Sequence, residues 1–174
     1  MSPQPRPADD VDVDDVDRIV SAWRRERPDL DVSPLAVLSR VSRLARRLDQ
    51  ARGATFGEHS LDGWEFDVLS ALRRAGRPYE LSPGQLVTET LVTSGTMTNR
   101  IDRLERRGFV ARRPSPTDRR GVIVRLTPAG RKAVDAALEA LLDAERAILE
   151  GLPDRDRDDL AGLLRHLLAT VEAP

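Results

Sequence analysis

The chain has 174 residues, of which 33% are charged and only 3% aromatic, and it contains no cysteine. That length suits one domain with a substantial core, and a remainder rich in Leu, Val and Ala suits mainly α-helix. The lack of thiols excludes disulfides, thiolate metal sites and thiol-based redox sensing. A net charge of −1 and a pI near 6.2 argue, taken alone, against a nucleic-acid partner. The distribution of charge points the other way: residues 93–121 hold eight arginines against three acids, while both ends of the chain are acidic. Positive charge concentrated on one module is the footprint a phosphate backbone requires. His59 and His166 stand far apart without acidic ligands at metal spacing, so neither a metal nor a cofactor is expected. No apolar run approaches the ~20 residues of a membrane span, and the start, MSPQPRPADD, lacks a positive end followed by an apolar segment. The expected location is the cytoplasm, with no membrane partner.

In chain order, residues 1–10 are Pro-rich and polar and are expected to be disordered. Residues 11–60 are expected to form N-terminal helices serving dimerisation and a ligand pocket. The first spans residues 11–27, with Val16, Ile19, Val20 and Trp23 on one side and Pro28 closing it. The second opens at Ser33-Pro34, carries Leu35, Leu38, Val41, Leu44 and Leu48 at intervals of three or four, and runs to about Ala51 or a few residues beyond.

Residues 61–127 read as a winged helix-turn-helix. A helix over residues 61–75 turns Trp64, Val68, Leu69 and Leu72 inward and stops at Gly76. Ser82-Pro83-Gly84-Gln85 supplies a cap, a first-turn Pro and the Gln of a capping box, so a short helix follows to about Thr90. Thr93-Ser94 caps the next helix, which extends to Arg107 and ends at Gly108. At ~1.5 Å per residue it is about 22 Å long, enough to lie across a major groove.

Projecting this helix at about 100° per residue places Met97, Ile101 and Leu104 together against the core. Gly95, Asn99, Asp102, Arg103 and Arg106 then point away, and Ser94, Thr96 and Thr98 flank the outward face near the N-terminal end that meets base edges in helix-turn-helix proteins. Arg100 falls only about 60° from the core face, better placed for a half-buried partner than for a phosphate. Residues 109–113 and 122–126 read as the two strands of a wing, with PSPTDRRG as its turn. There Asp118 is suited to hold Arg119 and Arg120 by charge-assisted bonds and aim a guanidinium into a minor groove.

Residues 128–174 hold two further helices, broken at Gly151-Leu152-Pro153. Their stripes, Val134, Leu138, Leu141, Leu142, Ile148 and Leu149 and then Leu160, Leu163, Leu164, Leu167, Leu168 and Val171, exceed what one helix hides on the other. A homodimer is the economical explanation, and a two-fold would set two reading helices about 34 Å apart on one face of DNA.

The segments LSPGQL and TSGTMTNRIDRLERRGFVARRPSPTDRRGVIVRLTPAGR, above all DRR followed by LTPAG, resemble the MarR family of bacterial transcription regulators; the likeness covers residues 35–171. It implies a bacterial cytoplasmic homodimer, associated with the nucleoid when bound, on a palindromic operator and released by a small anionic molecule, and the site set Thr93, Ser94, Gly95, Thr96, Thr98, Asn99, Arg103, Arg106, Asp118, Arg119 and Arg120 as the DNA-reading surface. The extra N-terminal helix resembles a urate- and aconitate-responsive branch, whose pocket positions correspond here to Trp23, Asp67, Arg100 and Arg112. On that likeness Asp67 pairs with Arg100 or Arg112, and an anion such as urate, a related purine or aconitate competes for the arginines beside Trp23. Two other readings stay open: a regulator without a ligand, in which Asp67 and Arg100 form a static pair, and a winged helix used for protein contacts. An enzyme is disfavoured, since Ser82, Ser94 and Thr127 serve as helix caps and no phosphate loop or metal cluster is present.

Overall fold

The computed structural model describes residues 13–115 and 121–172, so the expected disordered tail at residues 1–10 lies outside the described residues. Among the described residues, seven helices and a small sheet follow one another: α1 (Asp15–Glu26), α2 (Ser33–Glu58), α3 (Gly63–Arg74), β1 (Glu80–Leu81), α4 (Pro83–Thr90), α5 (Ser94–Arg106), β2 (Val110–Pro114), β3 (Val122–Leu126), α6 (Pro128–Leu149) and α7 (Asp154–Glu172). The chain divides into two compact units, Met1–Gln50 and Ala51–Pro174, and the division falls within α2.

In the first unit, α1 starts later than residue 11, because Asp14 caps it: its carboxylate accepts the Asp17 N–H at 2.9 Å while Asp17 accepts the Asp14 N–H at 3.1 Å. Arg40 of α2 grips both acids, at 2.9 Å from Asp14 and 2.7 Å from Asp17. Its hydrogen bond to Asp14 is the main cause that holds this carboxyl at about 2. Val16, Val20 and Val32 make a small core joined by Leu35 and Ala36. Of the four residues expected on the inward side of α1, only Val16 and Val20 are buried; Ile19 and Trp23 are 39% and 50% exposed. The α2 stripe is likewise half open, with Leu38 and Leu44 exposed.

The second unit holds the main core. Val68, Leu69 and Leu72 of α3, Leu86 of α4, the α5 triad, Val110 and Val124 of the strands and Val134, Ala137 and Leu141 of α6 pack as one cluster. The sheet order is β1-β3-β2, antiparallel throughout. β1 is an element the sequence pattern does not reveal, because two residues cannot display a period of two. In the register Val110 faces Leu126 and Arg112 faces Val124, which turns one side of the wing's root into the core.

The step from wing to α6 is tight. Thr127 caps α6, accepting the Gly130 N–H at 3.0 Å and donating its hydroxyl to the Gly108 carbonyl at 2.7 Å. A Cβ at Gly130 would stand 2.1 Å from the Phe109 carbonyl oxygen. The contact is with backbone and the chain must shift to relieve it, so Gly130→Ala is expected to lower stability by about 1–3 kcal/mol, read as a reduced urea midpoint with an unchanged slope.

Candidate nucleic-acid interface

The geometry of α5 follows from three side chains. Met97, Ile101 and Leu104 are each at most 1% exposed, so the expected outward positions do reach solvent: Ser94, Gly95, Thr96, Thr98, Asn99, Arg103 and Arg106 are exposed, and Asp102 is half-buried. Thr93 caps the helix, with its Oγ1 taking the Thr96 N–H at 3.3 Å and lying 2.9 Å from the Thr96 hydroxyl. Thr98 donates back to the Ser94 carbonyl at 3.1 Å. The turn before α5 passes through Leu91, whose φ of 53° is left-handed and whose side chain is 92% exposed. α3, α4, α5 and the two long strands thus form a helix-turn-helix followed by a wing. Asp118, Arg119 and Arg120, expected at the wing tip, lie outside the described residues.

Much of the arginine on this module is already engaged. Trp64, expected to point inward, is only partly buried: its indole N–H donates to Asp62 at 3.0 Å, and Arg103 and Arg100 lie 4.5 and 5.6 Å from its ring centroid. Arg103 also reaches Asp62 at 3.4 Å. The indole and two guanidiniums line a shallow recess of about 220 Å³ with Thr96 and Asn99. Arg106 bonds only to the Asp102 backbone carbonyl, at 3.3 Å, among the described residues. It is free to meet a phosphate.

Sequence reasoning passes over Glu65, which is 1% exposed. Its Oε2 accepts the Asp62 N–H at 3.0 Å and an ion pair from Arg107, while its Oε1 is buried without a partner among the described residues. Arg107 also donates to the Ser60 carbonyl at 2.6 Å and lies 4.6 Å from the Phe109 ring centroid. Asp62 followed by Glu65 at the start of α3 is the spacing of a capping box, the one signal in the sequence that marks this acid. Arg107→Ala leaves the carboxylate without its cation and is expected to cost about 2–3 kcal/mol. Adding Glu65→Gln should recover part of that loss in a denaturation double-mutant cycle, and strict additivity would disprove the coupling.

The pocket candidates are distributed differently from the expectation. Arg112 pairs with Asp102 and Glu105 of α5, and its backbone N–H adds a bond to Glu105 at 3.0 Å. It therefore does not pair with Asp67; the acids seven and ten residues before it on the adjoining helix are nearer. Asp67 forms no ion pair with Arg100 among the described residues, although Arg100 acts on it through space. Its carboxylate is solvent-accessible, yet it borders a recess of about 260 Å³ shared with Phe66, Ser70, Arg74 and Glu89. Burial pushes its carboxyl above the ordinary aspartate range, opposed by Arg100, Arg52 and Arg74. The folded chain thus holds this proton more readily than the unfolded chain, so ionisation works against folding and stability falls as pH rises from the ordinary to the raised value. Asp67→Asn should flatten that decline and match or exceed the parent at neutral pH, as denaturation at acidic and neutral pH will show. Trp23 belongs to the first unit, where it is exposed on α1.

The order α3, α4, α5 and wing, with a polar outer face on α5, defines a winged helix-turn-helix DNA-binding protein. Residues 59–121 match the MarR family. The transcriptional regulator PecS of Dickeya dadantii is 39% identical over 88% of this chain and 95% of its own. BpsR of Bordetella bronchiseptica, whose structure is described as showing regulation of its DNA binding by 6-hydroxynicotinic acid, is 32% identical over 74% of this chain and 98% of its own, with a TM-score of 0.58. Sco3205 of Streptomyces coelicolor, solved in complex with DNA, shares the fold at a TM-score of 0.72 and 20% identity, covering 83% of this chain and 91% of its own. The chain belongs to the MarR family. It is a DNA-binding transcription regulator and not an enzyme.

Proposed function

We propose that the protein represses transcription by binding a palindromic operator as a homodimer and leaves it when a small anionic ligand binds. The observation that carries DNA reading is the α5 face itself: Ser94, Thr96, Thr98 and Asn99 are exposed at the end of the helix that meets base edges, with Arg106 behind them. Asp118, Arg119 and Arg120 are assigned to the minor groove on the sequence pattern. The homodimer rests on α7, which has no buried residue among those described and leaves Leu163, Leu168 and Val171 58–76% exposed. On α6, Leu138, Leu142 and Ile148 are exposed as well. A matching copy is the partner that symmetry supplies.

The ligand reading rests on Asp67 and Arg100, with Trp23 carried by the likeness to the urate- and aconitate-responsive branch. An anion drawn to Arg100 would meet an acid that burial already disfavours when charged, and would move the same helix that bears the base contacts. Only about 1.4 kcal/mol of differential binding is needed for a tenfold loss of DNA affinity. Arg112 plays a different part in this reading: its acids belong to α5, so it transmits motion between helix and wing. A regulator without a ligand is the second reading, favoured by that occupied Arg112.

Binding to the protein's own upstream intergenic DNA across a salt series is expected to show one palindromic segment held with a steep salt dependence and released by millimolar urate. Trp23→Ala and Arg100→Ala should blunt the release. Specific binding indifferent to urate, related purines and aconitate would leave the regulator and remove the ligand.

A further inference from the structure

Three side chains close a triangle where the start of α3 meets the outer face of α5. One oxygen of Asp62, Oδ2, accepts both the Trp64 indole N–H, at 3.0 Å, and the Arg103 guanidinium, at 3.4 Å. The indole is therefore held by its edge, and its ring centroid lies 4.5 Å from the same guanidinium. Arg103 is met from two sides and still keeps its side chain 54% exposed. The two holders are themselves anchored: Asp62 opens α3, with its N–H given to buried Glu65 at 3.0 Å. Glu65 in turn pairs with Arg107, one helical turn beyond Arg103. The first turn of α3 thus grips α5 at two consecutive turns.

The two contacts on Arg103 differ in what they ask of it. An exposed pair at this length is weak and screened by salt, so Asp62 alone would leave the side chain loosely placed. An aromatic face attracts a guanidinium through the ring quadrupole and occupies none of its N–H donors. Arg103 makes no other side-chain hydrogen bond among the described residues, so most of its fork is open. An arginine ordinarily gives up much rotamer freedom on meeting a phosphate, and one already ordered loses less. Arg100 lies 5.6 Å from the same ring but forms no ion pair among the described residues, so the triangle is particular to Arg103. Arg103 sits on the C-terminal half of α5, away from the end that meets base edges, which makes a backbone phosphate its counterpart.

We propose that Trp64 is a positioning residue for DNA binding: with Asp62 it prearranges the Arg103 guanidinium to meet a backbone phosphate. The inference rests on the reading of Arg103 as part of the DNA surface, and adds to it a residue on another helix that acts through that arginine. The half-buried place of Trp64 follows, since its ring serves a guanidinium as well as the core.

The test combines DNA binding with side-chain dynamics in the full-length protein. On a duplex from its own upstream intergenic DNA, read by fluorescence anisotropy across a salt series, Trp64→Leu should weaken binding about three- to fivefold. Its salt slope should stay unchanged, because the guanidinium is still there to meet the phosphate. Trp64→Phe restores a ring and should recover most of the affinity. Arg103→Gln should lower the slope by about one, and adding Trp64→Leu to it should change nothing further. Heteronuclear NMR relaxation at the Arg103 Nε–H should show an ordered side chain in the parent and in Trp64→Phe, and a mobile one in Trp64→Leu; the urea midpoint checks that each variant is folded. A mobile Arg103 in the parent, a measurement that needs no variant, overturns the proposal. Losses that multiply in the double variant overturn it as well, since Trp64 would then act on the fold at large. If Arg103→Gln weakens binding and Trp64→Leu does not, Arg103 keeps its place on the DNA surface and the proposal falls alone. If Arg103→Gln changes neither affinity nor slope, the reading of Arg103 itself fails and takes the proposal with it.

Discussion

Burial of Met97, Ile101 and Leu104 is the constraint on which the reading surface depends. Three side chains at intervals of four and three define one face of a helix, and once that face is buried every other position has its direction assigned. Rotation about the helix axis would expose apolar area worth several kcal/mol at about 25 cal/mol per Å², so the outer face cannot drift. The Glu65–Arg107 contact adds a polar lock at the far end, binding the first turn of α3 to the C-cap of α5. One element is thereby held at two points by chemically different means.

Acidic residues decide which arginines the module has to offer. Eight arginines between residues 93 and 121 suggest a strongly cationic surface, yet Arg103, Arg107, Arg112 and Arg113 each meet a carboxylate in the folded chain. These acids orient the guanidiniums as much as they neutralise them. At the exposure of most of these pairs each is worth only about 0.2–1 kcal/mol, so their contribution is one of direction. Of the other arginines among the described residues, Arg100 is left beside an indole and Arg106 with a backbone oxygen. Among the described residues, the charge left for a phosphate is smaller and more localised than the count implies.

The order of the elements and the polarity of α5 were legible because helical periodicity, caps and the Gly stops at residues 76 and 108 are local signals. Both glycines adopt the positive φ that such stops require, at 76° and 73°. The inward face of α1 was legible only in part, since Ile19 and Trp23 share its apolar stripe and yet remain exposed in the protomer. β1 was too short to carry a pattern. Glu65 and the partners of Arg112 were hidden for another reason: a capping-box acid and a helix carboxylate look the same in sequence whether they face water or a guanidinium forty-two residues away. The branch likeness pointed to Arg112 and Asp67 as members of one set, whereas local geometry gives the arginine nearer acids.

The bonds between Arg112 and α5 couple the helix and the wing root, the two surfaces proposed to meet different grooves of a duplex. With its guanidinium spanning Asp102 and Glu105 and its own amide anchored to Glu105, β2 cannot be displaced without drawing the helix along. Helix and wing root therefore behave as a single lever rather than as two fingers. If helix and wing read DNA as proposed, a chain built this way has few half-engaged states: a modest tilt would cost contacts in both grooves at once, and release would be closer to all-or-none than the number of individual contacts suggests.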